Sequence, residues 1–111
     1  MRSIIIGLTM CIGTATAAAA QDAKVAKGAQ VYADQKCAVC HSIGDKGNKK
    51  GPLDDVGSKL SAAEVQEWLV DATGMAAKAK ATRKPPMKSY ATLSKDDVDA
   101  LVAYLMTLKK K

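Results

Sequence analysis

The residues with the most chemistry for their spacing lie in one pentapeptide, Cys37-Ala38-Val39-Cys40-His41. Two thiols three positions apart, with an imidazole next to the second, allow three readings. A structural zinc site wants a fourth ligand of Cys or His type. His41 is the only histidine, and the one further cysteine, Cys11, lies near the chain start. A thioredoxin-like redox pair belongs in a βαβ context, and no stretch of this chain alternates with period 2. Cys-x-x-Cys-His is the attachment sequence for c-type haem. On a helical turn, Cys37 and Cys40 reach the two vinyl groups on one side of a porphyrin. His41, four residues on from Cys37, then aims its imidazole at the iron. The expectation is one haem c, held by two thioethers and ligated by His41.

The rest of the chain must position that pentapeptide. Its 111 residues suffice for one small domain. Hydrophobic residues make up 48 %, yet aromatics only 4 %, with no Phe. The balance of 17 Lys and Arg against 11 Asp and Glu gives +6, which excludes an acidic tail. Arg2, the apolar run from Ile4 to Ile12 and the small residues Ala15 to Ala20 read as a secretory signal peptide cut near Ala20. The apolar run is short of the roughly 20 residues that span a bilayer. A lipoprotein signal at Cys11 meets bulky Met10 where a small residue is expected. Residues 1–20 are therefore read as a leader, 21–111 as the folded domain, and the destination as the periplasm. Cys11 leaves with the leader. A disulfide between Cys37 and Cys40 closes too small a loop to stabilise the fold by much.

The domain reads as all-α. Asp22 to Lys36 carries Val25, Gly28, Val31 and Tyr32 at helical spacing. Ser42 to Ser58 is rich in glycine and reads as loop. Ser61 and Glu64 form a capping box opening a helix to about Val70. Thr73 to Tyr90 holds Pro85-Pro86 and reads as a short helix followed by extended chain. Ser94 opens a last helix with Val98, Leu101, Leu105 and Leu108 on one face and lysines at its end. These elements make a thin core, and a bound prosthetic group would supply the missing apolar bulk.

The whole mature chain resembles a small bacterial class I cytochrome c. Gly28 and Tyr32 match the glycine and aromatic where that family's N-terminal helix crosses its C-terminal one. Cys37, Cys40 and His41 match its haem motif. Gly51-Pro52 resembles the loop whose proline carbonyl accepts the ligand histidine's ring N–H, a bond that would fix its tautomer. The family's usual second axial ligand is methionine. Met1 and Met10 leave with the leader and Met106 belongs to the last helix, so Met75 and Met87 remain. Met87, after Pro85-Pro86 and before Tyr90, resembles the family's methionine loop and is the assigned ligand. Met75 reads as a core gap-filler. The resemblance also places Tyr90 in the haem environment. Trp68 either packs over the haem or sends its indole N–H to a propionate, as a family tryptophan does.

The function implied is single-electron transfer by a monomeric carrier, with no substrate chemistry of its own. No acidic residue lies between Asp71 and Asp96, while Lys78, Lys80, Arg83, Lys84, Lys88 and Lys95 do. As a group they suggest brief, steered docking on acidic redox partners. No nucleic-acid motif accompanies the basic charge. Two rival readings share the motifs: a haem subunit held in an enzyme complex, and a sensor or peroxidase-like protein with a labile methionine.

The thin core makes folding depend on attachment. Replacing Cys37 and Cys40 together by Ala should leave the exported chain largely unfolded, because a group bound to the folded state alone stabilises it. Circular dichroism melts test this, and a cooperative, native-like transition in the haem-free double variant contradicts it.

Overall fold

The computed structural model describes residues 15–110. Of the expected leader, residues 1–14 lie outside the described residues, as do Met1, Met10 and Cys11. Six α-helical or 3-10 elements and one minimal hairpin make up the rest. Helix α1 runs Ala15–Asp34, followed by a 3-10 turn at Cys37–Val39. Strands β1 (Ser42–Ile43) and β2 (Lys46–Gly47) pair antiparallel. Helices α2 (Val56–Lys59), α3 (Ala62–Val70), α4 (Ala72–Ala79) and α5 (Lys95–Met106) complete the fold.

Most helix ends follow their local sequence. Ser61 Oγ accepts the Glu64 backbone N–H at 3.1 Å, and Glu64 returns a bond to the Ser61 N–H at 3.0 Å. Ser94 caps α5 through the Asp97 N–H at 3.1 Å, and Asp71 caps α4 through the Gly74 N–H at 3.2 Å. Each such cap satisfies a backbone donor that the helix itself leaves unpaired. Helix α1 stops at Asp34, two residues short of the expected end, because Lys36 takes a left-handed conformation with φ 57°. Helix α5 ends at Met106, so Lys109 and Lys110 lie beyond it and not in its last turn. Instead the Lys110 N–H donates to Asp55 at 2.8 Å, and the Gly57 N–H donates to the Leu108 carbonyl at 2.9 Å. The glycine-rich stretch expected as plain loop contains the hairpin and α2, elements too short to leave a periodic signal.

The core joins three helices: Val31 from α1, Val65 and Leu69 from α3, and Val98, Leu101 and Leu105 from α5. Each buried aliphatic side chain contributes about 1.5–3 kcal/mol relative to exposure. Among the described residues the α1–α5 crossing is the most extensive packing of one element on another. Buried Gly28 sits at its centre, and a Cβ there would run into the Ala100 carbonyl and the Tyr104 Cβ. Only a glycine lets the two backbones approach so closely. Beside it Tyr32 and Tyr104 meet edge to face, with centroids 5.9 Å apart. The Lys27–Asp97 ion pair at 3.4 Å is exposed and adds little.

Gly28→Ala should therefore destabilise the protein by about 1–3 kcal/mol through overpacking. In a domain this size that reads as roughly 4–8 °C of melting temperature per kcal/mol. An unchanged melting temperature would mean that the crossing has slack.

Candidate cofactor site

The pentapeptide leaves α1 through the left-handed Lys36 and winds into a single tight turn. The Cys40 N–H donates to the Cys37 carbonyl at 3.1 Å and the His41 N–H donates to the same oxygen at 2.9 Å. That forked bond stacks Cys37, Cys40 and His41 over one another. Both cysteines are free thiols. All three residues line a cavity of about 610 Å³, together with Met87, Trp68, Tyr90 and core residues such as Leu53, Leu69 and Leu101. A volume of this order belongs to sites for compact organic ligands, roughly 300–1,000 Å³.

His41 is held by one atom. Its Nδ1 lies 3.0 Å from the Gly51 carbonyl oxygen. A carbonyl only accepts, so Nδ1 carries the hydrogen and Nε2 keeps a free lone pair. This is the tautomer that a metal-ligating imidazole needs. Burial pushes the His41 pKa down and the nearby Arg83 charge adds to that, while the carbonyl bond opposes both. The balance favours the neutral ring. Burial likewise pushes the Cys37 thiol up, away from thiolate.

The acceptor is not the expected Pro52 carbonyl. The Ser42 N–H donates to Gly51 O at 3.1 Å and the Leu53 N–H donates to Ser42 O at 2.8 Å, so Pro52 bridges Ser42 in parallel fashion. In extended chain successive carbonyls face opposite sides. Gly51 O and the Leu53 N–H thus face Ser42 and His41, and the Pro52 carbonyl faces away. Pro52 itself is exposed and does not line the cavity. Gly51 also has to be glycine. A Cβ there would run into the Arg83 guanidinium and the Cys40 carbonyl, and would sit 3.0 Å from His41 Nδ1.

The other side of the cavity comes from the segment after α4. Met87 is half-buried on the cavity wall, and Pro85 and Pro86 line it too. Met75 lies inside α4 and Met106 at the end of α5; neither lines the cavity. The Tyr90 N–H donates to the Leu69 carbonyl at 2.6 Å. That oxygen belongs to the last turn of α3, where the helix has no partner for it, so the methionine segment is fastened to a helix end. Lys88 Nζ stands 5.1 Å from the Tyr90 ring centroid. Of the six cations expected around Met87, Lys78 pairs with Glu67 at 3.2 Å and Lys95 with Asp99 at 3.1 Å. Arg83 and Lys88 line the cavity, and Lys84 lines an adjoining cleft.

Tyr32 adds a test of fit. Tyr32 lines the cavity, its hydroxyl is buried with no hydrogen-bond partner, and burial pushes the phenol pKa up to about 12. A cavity with two thiols, an imidazole with a free Nε2 and a thioether on its wall suits an apolar prosthetic group that carries a metal. Among the described residues no three His, Cys, Asp or Glu side chains come together as a separate metal site.

The family model for cytochrome c matches residues 25–109. The chain belongs to the cytochrome c family. Its Cys37-x-x-Cys40-His41 turn, its mostly helical fold and its α1–α5 crossing are thus those of a haem protein that transfers electrons. A curated relative, cytochrome c oxidase subunit 2 of Alkalihalophilus pseudofirmus (strain ATCC BAA-2126 / JCM 17055 / OF4), is 27 % identical over 92 residues, covering 75 % of this chain. The chain spans about a quarter (25 %) of that relative's length. No solved structure matches the chain significantly. Cys37 and Cys40 would hold a haem c and His41 would ligate its iron, supplying a one-electron ferric/ferrous couple when bound. No described helix is long and apolar enough to cross a membrane.

Two site features escaped the sequence. The Gly51 carbonyl has no side-chain signal, and the contact of Arg83 with Gly51 is one that its place among the six cations around Met87 does not foretell. Gly51→Ala in the haem-loaded protein should break the His41 bond and cost about 1–3 kcal/mol. The His41 Nδ1–H should then exchange faster with solvent by NMR. Unchanged exchange and an unchanged melting temperature would show that the loop absorbs the methyl group.

Proposed function

We propose that the chain is an exported, periplasmic, monomeric electron carrier whose haem c is ligated by His41 and Met87. The observation that carries this reading is the cavity wall, on which His41, with a free Nε2, and Met87 both lie. With both ligands in place the iron has no open position for oxygen, peroxide or substrate. A soft thioether favours ferrous iron and raises the reduction potential. The protein's own residues then have three tasks: Gly51 orients His41, Pro85 and Pro86 stiffen the approach to Met87, and the apolar walls exclude water.

The partner reading follows from charge and exposure. Arg83, Lys84 and Lys88 gather where the cavity meets solvent, which supports steered encounters with acidic redox partners. Among the described residues Val39, at 67 % exposure, is the exposed large hydrophobic side chain. A single apolar contact next to Cys40 suits a brief encounter better than a permanent interface, which runs larger and more hydrophobic. A second reading, a haem module working within an oxidase, rests on the similarity to an oxidase subunit 2.

Met87→Ala should lower the reduction potential, abolish the weak red absorption band of methionine-ligated ferric haem and admit carbon monoxide to the ferrous form. Met75→Ala should do none of these. The reverse pattern assigns Met75 as the ligand, and carbon monoxide binding by the wild type removes the carrier reading.

A further inference from the structure

Arg83 makes a contact that its part in docking does not require. It stands four residues before Met87, yet its Nη1 packs against Gly51 so closely that a Cβ on that glycine would collide with it. Gly51 is the residue whose carbonyl accepts the His41 Nδ1–H. Arg83 thus lies against the one backbone unit that orients His41. It also lines both the main cavity and the smaller cleft beside it, as Val39, Cys40 and Pro85 do.

Its charge is not cancelled. The ion pairs among the described residues join Lys27 to Asp97, Lys78 to Glu67 and Lys95 to Asp99, and none includes Arg83. No acidic residue lines either cavity. Lys50 and Lys84 share the smaller cleft with Arg83 but do not line the main cavity. A guanidinium suits this place better than an ammonium in one respect: it is planar, weakly hydrated and packs flat on backbone.

We propose that Arg83 is a positioning residue for the redox centre: its charge, packed on Gly51 beside His41, holds the reduction potential up. This rests on His41 being the iron ligand. The physics is a difference of charge. Oxidised iron carries one more positive charge than reduced iron, so a fixed cation nearby disfavours the oxidised form and favours the reduced one. Arg83 is exposed, so solvent and salt screen the effect strongly and keep it small.

The test compares midpoint potentials of haem-loaded wild type, Arg83→Gln, Arg83→Lys and Lys84→Gln at low and high salt, with spectra of each. Arg83→Gln should lower the equilibrium constant for reduction about three- to fivefold, the range of a partly screened charge interaction. A tenfold change would read as about 59 mV for one electron. Arg83→Lys should recover most of the loss, and Lys84→Gln, with the same change in net charge, should shift the potential much less. The red methionine band should persist in all four, and the Arg83→Gln shift should shrink as salt rises. An unchanged potential in Arg83→Gln overturns the proposal, as does an equal fall in Arg83→Lys or in Lys84→Gln. Failure of His41 ligation is distinct: the wild type itself would lack a six-coordinate spectrum.

Discussion

A backbone carbonyl can accept a hydrogen bond and cannot donate one, and the site depends on that asymmetry. By facing His41, Gly51 O decides which ring nitrogen carries hydrogen and which is left to a metal. The carbonyl faces that way because Ser42 pairs with the chain on either side of Pro52. Ser42 is 1 % exposed, so the pairing is buried and shielded from water. The orientation of one side chain is therefore set by main-chain geometry, which side-chain substitution elsewhere disturbs little.

The fold surrounding this arrangement is economical. Three helices supply a small aliphatic core, and the large cavity lies against it and shares Val65, Leu69, Leu101 and Leu105 with it. The same residues that pack the helices together therefore form the wall of the site. In such a chain cofactor binding and folding are coupled, since filling the cavity adds apolar contacts to residues already in the core.

What was legible in the sequence is what local chemistry determines. The Ser61–Glu64 and Ser94–Asp97 caps, the Val98–Leu101–Leu105 face and the Cys37–His41 turn each need only a few consecutive residues to be recognised. The Gly28 crossing was legible only through resemblance, because its reason, the Ala100 carbonyl, lies 72 positions further on. The Pro52 expectation failed for the same cause. Which of two adjacent carbonyls faces an imidazole depends on a bridge to Ser42, and residue type carries no record of it. Arg83 is exposed and lines the cavity, as its place among the cations around Met87 implies, but nothing in the segment 78–88 marks it as the one whose Nη1 packs on Gly51.

The fastening of the methionine segment has a further consequence. Between Lys80 and Leu93 most residues are exposed, and the backbone is tied to the helical body by the Tyr90 N–H on Leu69 O. Buried packing is sparse there, whereas α1 and α5 share the core. Segments of this kind open at a lower free energy than the whole domain. The two sides of the cavity thus have unequal lifetimes: the His41 side melts with the domain, while the Met87 side can unlatch alone. Opening on that side is a local breathing event, separable from unfolding of the helical body.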